Sequence, residues 1–140
     1  MQPRLLLRIA AGAILVFDLG HTLGGMVFGK SRGVEEDTLL GLLGAYHFDV
    51  MGSSRSHHDF YVGEGWYLSA TLTAMIVICW VLSNSTTESP ALVRRVSLVV
   101  ALFFAISTAL CAVFFFAAPM VASAVASAAC GAAWWRLRDA

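Results

Sequence analysis

Four long apolar runs divide the chain, near residues 5–28, 60–82, 96–117 and 119–135, and each carries few charges. A hydrocarbon core of about 30 Å takes roughly 20 helical residues to cross, so runs of this length predict transmembrane helices. The last two are nearly continuous, with Ala117-Ala118-Pro119 at the junction. Proline suits the first turn of a new helix, so the pattern predicts a tight helical hairpin there. The fourth run ends on Trp134-Trp135, with Arg136 and Arg138 close behind, an aromatic and basic anchor suited to a membrane interface.

The polar stretch between the first two runs has its own pattern. "KSRGVEED" (30–37) is turn-rich, whereas "TLLGLLGAYHFDVMG" (38–52) is apolar but too short to span, which predicts an interfacial or re-entrant helix. "SSRSHHD" (53–59) follows. It offers Ser53 or Ser54 as an N-cap, with Arg55 and Asp59 then four apart on one helical face, so the second span is expected to start outside the membrane. In the fourth run, Ser123, Ser127 and Gly131 recur at four-residue steps, a stripe that lets helix backbones approach closely. The expected fold is all-α: a single four-transmembrane-helix bundle over 1–140, with one extra helix in the first loop.

Composition supports this class. The chain is 59% hydrophobic and 13% charged with mean hydropathy +0.76, against about a quarter charged in soluble domains. Nine basic residues balance nine acidic ones, and no nucleic-acid partner is expected. The basic residues orient the spans: Arg4, Arg8, Arg94, Arg95, Arg136 and Arg138 fall on one side, against Lys30, Arg32 and Arg55 on the other. Cytoplasmic flanks collect Lys and Arg, so both termini are expected in the cytoplasm and residues 29–59 outside the cell (inner) membrane. The opening "MQPRLLLRIAAGAILVF" resembles a signal peptide, but Asp18 and the lack of a small-residue cleavage site favour a retained anchor. Cys79, Cys111 and Cys130 lie within the runs, form no C-x-x-C pair, and read as small buried hydrophobes.

Asp18 and His21 stand inside the first run. At 1.5 Å per residue Asp18 lies about 20 Å along the helix, near mid-bilayer, with His21 farther out. A carboxylate there costs at least about 2.5 kcal/mol unless it pairs, takes up a proton or meets water. Two readings compete: an Asp–His pair that only locks the bundle, or a proton-handling dyad. Gly20, Gly24 and Gly25 on the same helix read as close packing. Glu64 enters one turn into the second run, with Gly63 and Gly65 leaving room beside its carboxylate. His21, Asp18 and Glu64 are therefore the candidate acid–base residues, and His47, Arg55, Asp59 and Tyr61 the candidate ligand-binding residues at an outer mouth. A wetted helix mouth explains Asp49, His57 and His58 equally well. His47, Asp49, His57 and His58 could supply enough zinc ligands, but H-x9-HH is no ligand signature and no metal is expected. Haem between helices needs histidines facing each other at one depth, and only His21 is clearly inside a span.

"GHTLGG" and "HFDVMGSSRSHHDFYVGEG" (47–65) together resemble a family of short, four-helix bacterial integral membrane proteins of uncharacterised function. Its pattern is roughly G-H-T, then H-x-x-x-M-G-x-x-R-S-x-x-D-F-Y-x-G-x-G. The resemblance implies that Gly20, His21, Thr22, His47, Met51, Gly52, Arg55, Ser56, Asp59, Phe60, Tyr61, Gly63 and Gly65 are family-type positions. Asp18, His57 and Glu64 fall outside the pattern, which shifts weight to His21, His47, Arg55 and Asp59.

Three functions fit these residues. The first is a site for a small lipophilic molecule, or an acid–base membrane enzyme such as an isomerase or cyclase, opening to the extracytoplasmic side. The second is a non-enzymatic subunit that meets a membrane partner, or its own copy, through the small-residue stripe of the fourth span. The third is a haem- or quinone-linked redox subunit. The sequence names no cofactor and no ligand.

Overall fold

The computed structural model describes residues 1–138, and the chain is largely helical. Its elements are α1 (Pro3–Leu19), continued by a π-helical segment (Gly20–Val27); α2 (Val34–Ala45); strands β1 (His47–Val50) and β2 (Ser53–Ser56); α3 (His57–Asn84); α4 (Pro90–Phe114); and α5 (Ala117–Arg136). Four helices are long and apolar enough to cross a membrane: Pro3–Val27, His57–Asn84, Pro90–Phe114 and Ala117–Arg136. This is a multi-pass, all-α membrane protein. Each helix differs from its apolar run at the ends. Hydropathy marks only the greasy part of a span, whereas hydrogen bonding carries α4 back through Arg94 and Arg95 to Pro90.

The chain divides into two compact units, one of Met1–Asp18 with the chain from Thr71 onward, the other Leu19–Ala70. The first unit holds all of the dry interior. Leu7 and Ile14 of α1, Leu72 and Cys79 of α3, Val93 and Phe104 of α4, and Cys130 of α5 are essentially inaccessible. Fully buried Ser83, Ser97 and Ser123 stand among them. Small side chains are expected here because lipid removes the hydrophobic drive between membrane helices, and close van der Waals contact has to replace it. Ser127 Oγ donates to the Ala101 carbonyl at 2.9 Å, and a Cβ on Gly131 would reach the Ala101 Cβ at 4.0 Å. The stripe on α5 therefore packs against α4 of the same chain. All three cysteines are free and buried; Cys79 and Cys130 lie beside each other, and the Cys111 thiol lies against Ser123. The turn between α4 and α5 is made by extended Phe115 and Phe116, just ahead of the expected junction, and Pro119 sits in the first turn of α5.

The second unit differs from the expectation for the first loop. The extra helix exists but runs over Val34–Ala45, and 47–56 forms an antiparallel hairpin with His47 opposite Ser56 and Val50 opposite Ser53. The turn residues Met51 and Gly52 both have positive φ, 53° and 82°, as a two-residue hairpin turn of matching twist requires. Gly52 N–H donates to Asp49 Oδ1 at 3.1 Å. The cap of α3 is also displaced. Ser56, rather than Ser53 or Ser54, caps it in a reciprocal box: Asp59 N–H donates to Ser56 Oγ at 3.1 Å, and Ser56 N–H donates to Asp59 Oδ2 at 2.8 Å. Strand pairing uses Ser53 and Ser54, so they are not free to start a helix. Tyr46, Phe48, His57 and Phe60 join hairpin to helix through ring contacts, Phe48 and His57 being closest at 4.8 Å. Within Leu19–Ala70 no large apolar side chain is fully buried; Ser56 and Ser69 are the buried residues.

Candidate functional site

The segment Gly20–Val27 is the local feature from which a site is built. Its hydrogen bonds run i to i−5, as in Phe28 N–H to the Leu23 carbonyl at 2.9 Å, so the helix is wider than an α-helix. Such stretches are rare and concentrate at functional positions.

His21 contacts α3 through its ring. Nε2 lies 2.9 Å from the Gly65 carbonyl oxygen, and a carbonyl only accepts, so Nε2 carries the proton and Nδ1 is the lone-pair atom of the neutral ring. Beside it, Thr22 Oγ1 donates to Ser69 Oγ at 2.7 Å, and Ser69 Oγ donates to the same Gly65 carbonyl at 3.3 Å. His21 and Ser69 thus converge on one oxygen, with Thr22 linked to it through Ser69. Gly65 permits this approach. A Cβ on it would overlap the Met26 thioether from the π segment. Gly65 therefore makes room for Met26, not for Glu64, and Gly63 has nothing within 4 Å of its Cβ position. Gly20, Gly24 and Gly25 likewise face open space rather than a packed neighbour.

The remaining candidates are distributed differently from the expectation. Asp18 is buried, and its Oδ2 accepts from Thr73 Oγ1 at 2.9 Å, so Asp18 and His21 are engaged by different residues of α3. Glu64 is exposed; the backbone of the next residue, not its carboxylate, meets His21. Arg55 is in β2 and its Nη1 donates to the Ser54 carbonyl at 2.8 Å, while Asp59 is committed to the α3 cap. The expected Arg55–Asp59 pair is thus replaced, because a strand residue and a first-turn helix residue do not share a helical face. His47 starts β1 exposed, with Nδ1 3.4 Å from the Ala45 carbonyl oxygen, and Tyr61 is exposed on α3. Among the described residues, no three His, Cys, Asp or Glu side chains converge as metal ligands would.

Sequence reasoning missed Ser69, Met26 and the Gly65 carbonyl. Ser69 had a signal: it lies four residues after Gly65, on the same face of the second span. No family model, curated protein or solved structure matches the chain.

Proposed function

We propose that this membrane protein works on a small lipophilic molecule at the His21 cluster, with His21 as its acid–base group. The observation that carries the reading is the Nε2–H bond to the Gly65 carbonyl. It holds the imidazole in one tautomer and one orientation, and leaves Nδ1 as the base, which is what proton transfer at a fixed point on a substrate requires. The Thr22–Ser69 hydroxyl pair, whose protons are donated within the cluster, helps fix the carbonyl that holds the ring. The neighbouring exposed side chains, Leu23, Val27 and Trp66, are apolar, which suits a substrate arriving through lipid. The reaction class is proton abstraction and return, as in an isomerase or cyclase. Asp18 and Glu64 take no chemical part in this reading; Asp18 serves to hold α1 to α3 through Thr73.

The protein lies in the bacterial inner membrane with both termini cytoplasmic in this reading, supported by six basic residues on that side against three on the other and by the family resemblance. The reading of a subunit that meets a partner through α5 loses its motive, since α4 covers the Ser127 and Gly131 face.

The test is deuterium incorporation. Wild-type protein in liposomes of bacterial total lipid extract, incubated in heavy water, should place deuterium on carbon in one lipophilic species, detected by mass spectrometry. His21→Ala should fold with an unchanged melting profile and incorporate none. No incorporation by wild type, or equal incorporation by His21→Ala, would refute the proposal.

A further inference from the structure

The end of the first unit that carries the start of α1 and the end of α5 is strongly basic. Among the described residues Arg4, Arg8, Arg94, Arg95, Arg136 and Arg138 belong to this end, with Glu88 as the acidic one. Among the described residues, no Asp or Glu carboxylate lies within ion-pair distance of Arg8 or Arg94. Both are placed with care. The Arg8 guanidinium carbon of α1 sits 5.2 Å from the Trp80 ring centre of α3, and that of Arg94 of α4 sits 5.8 Å from the Trp134 ring of α5. Each Nε is buried with no hydrogen-bond partner, as is the hydroxyl of Ser97, one turn along α4 from Arg94 and fully inaccessible.

An indole satisfies the face of a guanidinium and leaves its in-plane N–H donors unmet, and those donors match the oxygens of a phosphate. Arg8 and Arg94 lie about 6–8 Å inside the starts of their helices, the depth at which a lipid headgroup meets the hydrocarbon, and tryptophan prefers that level. Basic pockets between membrane helices on the cytoplasmic side recognise anionic headgroups. We propose that this end of the protein binds an anionic phospholipid through its phosphate, held by the guanidinium groups of Arg8 and Arg94 that rest on Trp80 and Trp134. The inference is independent of the chemistry at His21.

Purified protein in detergent is mixed with phosphatidylglycerol or phosphatidylcholine of the same acyl chains, and bound lipid is counted by native mass spectrometry. Phosphatidylglycerol should be retained about tenfold better. Arg8→Gln or Arg94→Gln should lower its retention about fivefold and the double variant about thirtyfold, while Lys30→Gln has no effect. Arg8→Lys with Arg94→Lys keeps the charges and serves if the glutamine pair does not fold; it should still lose several-fold because the planar fork is gone. Equal retention of the two lipids, full retention by the lysine or glutamine pair, or displacement by excess inorganic phosphate would overturn the proposal.

Discussion

Gly65→Ala isolates the contact on which the candidate site is built. In a helix interior alanine is favoured over glycine by about 1 kcal/mol, so the substitution should stabilise wherever the new methyl has room. At Gly63 it has room, with nothing within 4 Å. At Gly65 the methyl would fall on the Sδ and Cε of Met26. Met26 has a flexible side chain and will move, so the cost belongs toward the low end of the about 1–3 kcal/mol range for overpacking, offset in part by the gain in propensity. The movement also widens the gap between the π segment and α3, which lengthens the His21–Gly65 bond. Reversible unfolding in mixed micelles, followed by circular dichroism, should therefore rank Gly63→Ala at or above wild type and Gly65→Ala below it. Adding Met26→Ala should abolish the penalty of Gly65→Ala, giving a coupling of about 1 kcal/mol in a double-mutant cycle. If Gly63→Ala and Gly65→Ala behave alike, or if Met26→Ala leaves the difference intact, the close approach of these two segments is not what constrains residue 65.

Other substitutions probe the remaining elements. Ser56→Ala removes the α3 cap and should cost about 1 kcal/mol, whereas Ser53→Ala should be neutral; the same unfolding assay separates them. Met51→Asn places a residue that tolerates positive φ at the hairpin turn and should stabilise by up to about 1 kcal/mol, read by slower amide exchange across 47–56. Gly131→Ala should be tolerated, because its methyl would only touch Ala101, while Gly131→Leu should lower the melting temperature. A periplasm-dependent reporter fused after Arg138 should be inactive, and activity there would reverse the assigned orientation.

Much of the architecture was legible because membrane spans are written in length and apolarity alone. The α5 stripe was legible for a related reason: Ser123, Ser127 and Gly131 mean close approach on any membrane helix, though not which neighbour they approach. The hairpin was obscured by its turn. Met51 is an unusual residue for positive φ, and the alternation of exposed His47 and Asp49 with half-buried Phe48 and Val50 is too short to outweigh the leucine-rich stretch before it. Ser56 and Asp59 form a readable capping box, but the four-residue spacing of Arg55 and Asp59 competes with it, and Arg55, a strand residue, does not obey helical spacing. The π segment leaves no mark in the residue types, and with it the partner of His21 was out of reach, since a backbone carbonyl has no letter in the sequence.

The stretch Leu19–Ala70 brings together the π segment, the hairpin and the His21 cluster while burying no large apolar side chain of its own. A region built this way relies on its surroundings to supply what an interior normally would. The choice of amphiphile for purification then becomes part of the experiment: a detergent that strips the annular lipid changes the effective solvent of the cluster, while the dry helical half, with Leu7, Ile14 and Phe104 sealed inside, stays as it was. A preparation can keep its helices, its size and its melting transition and still have lost the geometry around His21.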